Sequence, residues 1–408
     1  MRIFTAIRHS IDPKLYYGSL WSANFCPALR ELGHEVIEAQ VDLLPASRFM
    51  DIPGNFTRQE EEIRTRITEQ IISEVRNEHK KSPINIFLCY FYNAHFDSAG
   101  FREIHKLGIP TVNFYCNSLY QFELVTAIAK EVNFSWHTEK NATESYLRIG
   151  ANPVWVQMAA DQKLCHPVPD DKRQPKACFM GQRYADRDRW LAKLITANIP
   201  LEIYGTNWGL QNSGGNEEML PPSESFYLGR RQPKPGTLGA YLNAVLTNIE
   251  KQGIPRGIQR SARQLRYRDE SRKLDTLLLP AIRGFAKDIS HTFAGYDVIL
   301  NLSNVWSDGR PGSRLIPHVR LRDFEAPMCR TCYLTGHTDE IEEFYEIGKE
   351  IDTYRTPEEL IDKAKFYLAH PGEAERLREA GCRRAVKDHT WKERFKTLFK
   401  KIGIEKNR

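Results

Sequence analysis

The sequence predicts an α/β protein of two doubly wound, Rossmann-like domains facing a cleft. Three observations predict it. Short apolar runs alternate with amphipathic stretches, the pattern of βαβ units and a parallel sheet. A Pro-rich, charged stretch, Cys165 to Pro175, interrupts the alternation, which then restarts. The 408 residues also exceed what one ordinary core holds.

In the first half the expected strands are Ile3–Ile7, Glu35–Ala39, Ile84–Tyr90, Thr111–Tyr115, Phe134–His137 and Val154–Val156. Phe25–Leu32 reads as a helix closed by Gly33. Arg58 to Lys80 is a long charged helix with Ile63, Ile67, Ile71 and Val75 at helical spacing, and Ala142 to Ile149 is a helix stopped by Gly150. Past the linker, Ala177–Met180, Leu201–Tyr204, Val298–Leu302 and Cys332–Leu334 read as strands. The expected domains are 1–165, a linker at 166–175, a second domain at 176–385, and a closing helix at 386–408 that crosses back to the first. From about 211 to 289 the chain is longer than a βα loop and carries Arg256, Arg260, Arg263, Arg266, Arg268, Arg272 and Lys273. That is a basic helical insertion, either a solvated face or a contact for a partner or an acidic surface.

Composition narrows the function classes. The hydrophobic share is 41%, the charged share 27% and the net charge +6, ordinary for a globular chain and compatible with a polyanionic ligand such as a nucleotide diphosphate. Nucleic acid is not expected, because Tyr267 alone interleaves the basic run. No apolar stretch reaches membrane-spanning length, and the N-terminus lacks the pattern of a signal peptide. Eight scattered cysteines suit reduced thiols, and Cys329 and Cys332 lack the second pair of a zinc site, so a cytoplasmic protein without a metal is expected. No dinucleotide fingerprint, P-loop, nucleophile elbow or H-E-x-x-H occurs, which removes the signatures of dehydrogenases, P-loop enzymes, α/β-hydrolases and zincins.

Several segments carry candidate chemistry. Phe179-Met180-Gly181-Gln182-Arg183-Tyr184 links a strand to a helix near Arg187. A glycine there lets backbone approach a diphosphate, and a helix N-terminus with arginines favours negative charge. Gly205 ends the next strand, in a small-residue segment able to flank a base. At Arg322-Asp323-Phe324-Glu325-Ala326-Pro327 an ionised Glu325 is suited to accept hydrogen bonds from two adjacent hydroxyls at once.

Together with Leu201-Glu202-Ile203-Tyr204-Gly205, Tyr296-Asp297-Val298-Ile299-Leu300-Asn301 and His389-Thr390-Trp391-Lys392-Glu393-Arg394, these segments resemble the GT-B glycosyltransferases of the spore-maturation-protein (CgeB-like) type. The resemblance covers Ala177 to Phe399 without the insertion. Leu32-Gly33-His34-Glu35-Val36 matches only in general style. It implies transfer of a sugar from a nucleotide-sugar, with no cofactor besides that donor and no metal, to an acceptor that is a small molecule, glycan or protein. By resemblance Glu325 binds ribose and Gly181 and Arg183 face the diphosphate. Two departures stand out. Pro317 occupies a position where members of the wider superfamily often carry a Glu, and Arg330 one where relatives often carry Gly. His318, Arg320 and Arg322 lie close enough in sequence to supply positive charge.

An inverting transferase also needs a base for the acceptor's proton. The candidates are His9, with Asp12 nearby, and the pair His95 and Asp97. Gly18 and Ser19, placed between the first strand and helix, are expected to form an acceptor or phosphate loop. A retaining enzyme needs no such base, and a nucleotide-sugar epimerase or hydrolase, or a degenerate binding subunit on the same scaffold, remains an alternative.

Overall fold

A computed structural model describes residues 1–9, 16–169, 173–208 and 238–404. Asp12 and residues 211–237 of the expected insertion lie outside these. By contact density the chain divides into two units, one of Met1–Gln157, Asn216–Asn243 and Trp391–Arg408, the other of Met158–Gly215 and Ala244–Thr390.

In the first unit the described strands are β1 (Arg2–Ala6), β2 (Glu35–Glu38), β3 (Ile86–Cys89), β4 (Thr111–Tyr115), β5 (Phe134–His137) and β6 (Pro153–Trp155). They form one parallel sheet in the order β2-β1-β3-β4-β5-β6. Central β3 and β4 are buried at every position, as sheets covered on both faces require. The order reverses between β1 and β3, where doubly wound sheets open a crevice at their carboxyl ends.

The helix Arg58–Lys81 starts in a capping box, with Thr57 accepting from the Glu60 amide and Glu60 reaching back to the Thr57 amide. It buries Ile67, Ile71 and Val75 at steps of four. The first helix runs Tyr16–Glu31, so the expected loop at Gly18 and Ser19 is instead helical backbone. Glycine disfavours a helix by about 1 kcal/mol, which the burial of Trp21, Phe25 and Leu29 further along the same helix outweighs. The last helix, Trp391–Lys401, completes this unit. Trp391 packs on Phe25 with ring centroids 4.6 Å apart and donates Nε1–H to Asn24 Oδ1 at 2.9 Å.

In the second unit the described strands are β7 (Gln174–Met180), β8 (Leu201–Tyr204), β9 (Ile282–Gly284), β10 (Tyr296–Asn301), β11 (Val305–Trp306), β12 (Leu315–Ile316), β13 (Tyr333–Gly336) and β14 (Asp352–Tyr354). All but β11 and β12, which pair as a hairpin, form a parallel sheet in the order β14-β13-β10-β7-β8-β9. The order reverses between β7 and β10. β9 lies inside the expected insertion and β14 in a stretch with no strand expectation. Each is a three-residue edge strand held by pairing with β8 or β13.

Candidate functional site

The reversal between β7 and β10 carries a cleft of about 260 Å³. Its wall comes from the segments that leave four carboxyl ends: Asp186 and Trp190 after β7, Leu302, Ser303 and Asn304 after β10, Gly336 and His337 at β13, Tyr354 and Arg355 at β14, with Pro317 from the loop beyond β12. Asn304 donates Nδ2–H to Asp186 Oδ2 at 2.8 Å and so ties the two sides of the reversal together. Trp190 donates to the same oxygen at 2.8 Å. Arg355 and His337 meet at 2.6 Å, and His337 Nδ1 faces the Thr353 hydroxyl at 3.3 Å.

Asp323 fixes the loop that brings Pro317 to this wall. It is 1% exposed. It accepts hydrogen bonds from the Arg320 amide at 2.5 Å, Thr335 Oγ1 at 2.7 Å, Tyr333 OH at 2.8 Å and Asn301 Nδ2 at 3.2 Å. Burial pushes its carboxyl up from the usual range, against the pull of those four donors. Sequence reasoning passed over it for its neighbour Glu325. The signal was there: a carboxylate aligned with the hydroxyls of Tyr333 and Thr335 on a strand that otherwise reads apolar.

None of the expected donor residues belongs to the cleft wall, although Arg320 touches it, with Nη2 3.4 Å from the Asn304 carbonyl. Its Nε is buried with no hydrogen-bond partner among the described residues. Arg187 is buried, donates to the carbonyls of Gln182 and Leu302, and lies over the Phe179 ring. Burial, and then the charge of Arg320, push its guanidinium down to about 9. Arg183 is committed elsewhere. It donates to Asp275 at 2.6 Å, to the Ser271 carbonyl at 2.6 Å and to Asp188 at 3.3 Å, because the helix Ile254–Lys273 lies across this turn.

The two glycines serve a close backbone approach. A Cβ on Gly205, whose φ is +137°, would lie 2.1 Å from the Gly181 carbonyl oxygen, so the end of β8 meets the Gly181 backbone only because position 205 lacks a side chain, whereas a Cβ on Gly181 would meet the Phe179 ring at 2.9 Å. Glu325 sits in the helix Arg322–Met328 and accepts from Arg322 at 2.7 Å through Oε2. Its Oε1 has no donor among the described residues. Arg322 lies over the Phe293 ring, and His318 is buried.

In the first unit His9 follows β1 and His95 follows β3, and the fold brings them together, ring centroids 4.3 Å apart. His9 donates Nε2–H to the Tyr90 carbonyl at 2.7 Å and stacks on the Tyr90 ring at 4.6 Å. Burial pushes it down to about 4. His95 has both nitrogens engaged: Nδ1 accepts from the Tyr92 amide at 3.0 Å and Nε2 donates to Ser47 Oγ at 2.8 Å. Burial, then His9, hold it well below the usual imidazole range. Asp97 does not join them. It is half-exposed, accepts from the Ala99 amide and lies 3.7 Å from Arg64. Among the described residues no group of three or more His, Cys, Asp or Glu is arranged to hold a metal ion, and no helix is long and apolar enough to cross a membrane.

Residues 281–400, which include β10, β13, β14 and most of the cleft wall, match the glycosyl transferase-like family (Glyco_trans_1_2). Sucrose-phosphate synthase from Thermosynechococcus elongatus superposes with a TM-score of 0.54 at 12% identity, covering 98% of both chains. A glycosyltransferase from Rickettsia africae gives 0.55 at 11%, covering 100% of this chain and 99% of its own. HepE of Anabaena, described in complex with UDP and glucose, gives 0.52 at 10%, covering 98% and 99%. The fold is GT-B: two parallel six-stranded α/β units among the described residues. No curated protein matches the chain.

Proposed function

We propose that this protein is a glycosyltransferase of the CgeB-like type that moves a sugar from a nucleotide-diphosphate sugar to an acceptor. The observation that carries the reading is the cleft at the β7–β10 reversal, walled mostly by the family-matched stretch, with Arg355 and His337 in the wall and Arg320 and Arg187 bonded to the carbonyls of its Asn304 and Leu302. In the reaction the bond between anomeric carbon and diphosphate oxygen breaks with its electron pair on the diphosphate, and the acceptor oxygen takes the carbon. Arg320 and Arg355 meet the growing charge, with Arg187 behind them, so the proposal needs no metal. Ser303 and Asn304 offer hydrogen bonds to donor hydroxyls, and Glu325, through its open Oε1, is the ribose contact that the resemblance implies. HepE's complex with UDP supports a uridine donor.

For the acceptor's proton we assign His9 over His95 and Asp97. At neutral pH His9 is uncharged, and with Nε2–H given to Tyr90 its lone pair is on Nδ1. Both nitrogens of His95 are already used. Eight cysteines without a disulfide support a cytoplasmic location. Pro317 in the cleft wall supports a second reading, a subunit that binds nucleotide without turning it over.

The test is a thermal-shift panel of UDP, GDP, dTDP, CMP and ADP on wild type and Arg355→Ala. A nucleotide at a hundred times its Kd stabilises by about 2.7 kcal/mol. The reading expects that rise with UDP and its loss in the variant. No shift with any nucleotide would refute it.

A further inference from the structure

We infer that the helix Ile254–Lys273 docks this protein on an anionic lipid bilayer. The helix is held firmly on one side. A Cβ on Gly257 would lie 2.5 Å from the Ile249 Cα, so the preceding helix packs backbone to backbone against it. Arg260, 5% exposed, places Nη2 2.9 Å from both carboxylate oxygens of Asp308 in the β11–β12 turn. Tyr267 bonds the Ala185 carbonyl and packs against Trp306 at 5.2 Å, while Arg189 lies over its ring at 4.2 Å and reaches Glu270.

The opposite side is apolar and uncovered. Ile254, Ile258, Ala262 and Leu265 recur at steps of four, four and three, which is one stripe of an α-helix. Ile254 is 65% and Ile258 54% exposed. At 100° per residue Arg268 borders this stripe on one side and Arg266 and Lys273 border it on the other, while Asp269, paired with Lys273, and then Arg272 continue it past Leu265. Arg266 pairs with Glu270 one turn ahead and Lys273 with Asp269 one turn behind. Exposed Arg256, Arg263, Arg268 and Arg272 have none among the described residues.

An apolar stripe flanked by unneutralised Arg268 and continued by Arg272 fits the boundary between acyl chains and acidic headgroups. The aliphatic side chains enter the hydrocarbon edge and the guanidinium groups stay at phosphate level. A nucleic acid would satisfy the arginines and leave Ile254, Ile258 and Leu265 in water. The charge pattern and the apolar stripe together favour lipid. The inference does not depend on the transferase reading, because it concerns a surface away from the cleft wall.

The experiment is co-sedimentation of the full chain with vesicles of phosphatidylcholine alone and with one-third phosphatidylglycerol, across a salt series. The wild type is expected to sediment with the anionic vesicles only, and less as salt rises. Arg268→Gln and Arg272→Gln should each weaken binding roughly five-fold. Ile258→Ser with Leu265→Ser should weaken it at low and high salt alike, with an unchanged melting temperature because both side chains face solvent. Equal sedimentation with both vesicle types, none with either, or no effect of the apolar variants would overturn the inference. So would a concentration-dependent dimer abolished by those variants, or retention of nucleic acid in place of lipid.

Discussion

Acidification should destabilise the first unit through its buried histidines. His9 and His137 are both held down to about 4, in each case chiefly by burial, against 6.5 in an unfolded chain. His137 is further fixed by Nδ1–H to the Glu139 carbonyl at 3.1 Å and by stacking on Tyr146 at 4.9 Å. A depressed imidazole pKa means that the unfolded state binds the proton first. The stability is therefore complete above pH 6.5 and drains away as pH falls from 6.5 towards 4. At about pH 5.5 an unfolded imidazole is some ten to one protonated and a folded one almost neutral, a loss of about 1.4 kcal/mol per histidine and about 3 kcal/mol for the two. His95 adds to it in the same direction. For a unit of this size that amounts to roughly 6–12 °C in Tm. Scanning calorimetry at pH 8 and pH 5.5 measures it, and His137→Gln should remove about half of the two-histidine change. A Tm that ignores pH over this range, or a His137→Gln protein with the full pH dependence, would refute the burial argument.

Three further outcomes follow from the second unit. Asp323→Ala strands four hydrogen-bond donors and should cost about 3–5 kcal/mol in urea unfolding, with nucleotide binding lost as the 317–322 loop loosens. Less than about 1 kcal/mol would contradict it. Gly205→Ala forces a methyl group into the Gly181 carbonyl and should destabilise by about 3–5 kcal/mol or yield insoluble protein, whereas Gly348→Ala, also at positive φ but with open space around it, should cost only about 1–2 kcal/mol; equal losses would refute the contact argument. Ser303→Ala should leave the melting temperature within a few degrees and weaken UDP binding by about one hydrogen bond, roughly ten-fold; unchanged titration calorimetry would remove Ser303 from the site.

Much of the fold is legible in the sequence because parallel strands buried on both faces appear as unbroken apolar runs. Thr111–Tyr115, Phe134–His137 and Leu201–Tyr204 form strands at the expected bounds. β9 (Ile282–Gly284) and β14 (Asp352–Tyr354) are not legible, since a three-residue edge strand carries no period and exists through its neighbour. The candidate site divides the same way. Motif positions such as Gly181, Arg183 and Gly205 stand out by residue type, yet in the structure they hold backbone and helix together. Asn304, His337 and Arg355 occupy the wall without any local pattern, because strand order alone brings their loops together.

The central claim is that a nucleotide-sugar donor binds at the β7–β10 reversal. Hydrogen-exchange mass spectrometry of the full chain with and without UDP tests it most directly. Slowed exchange is expected in the segments around Asn304, His337 and Arg355. Protection confined to the first unit, or no protection at saturating nucleotide, would contradict it.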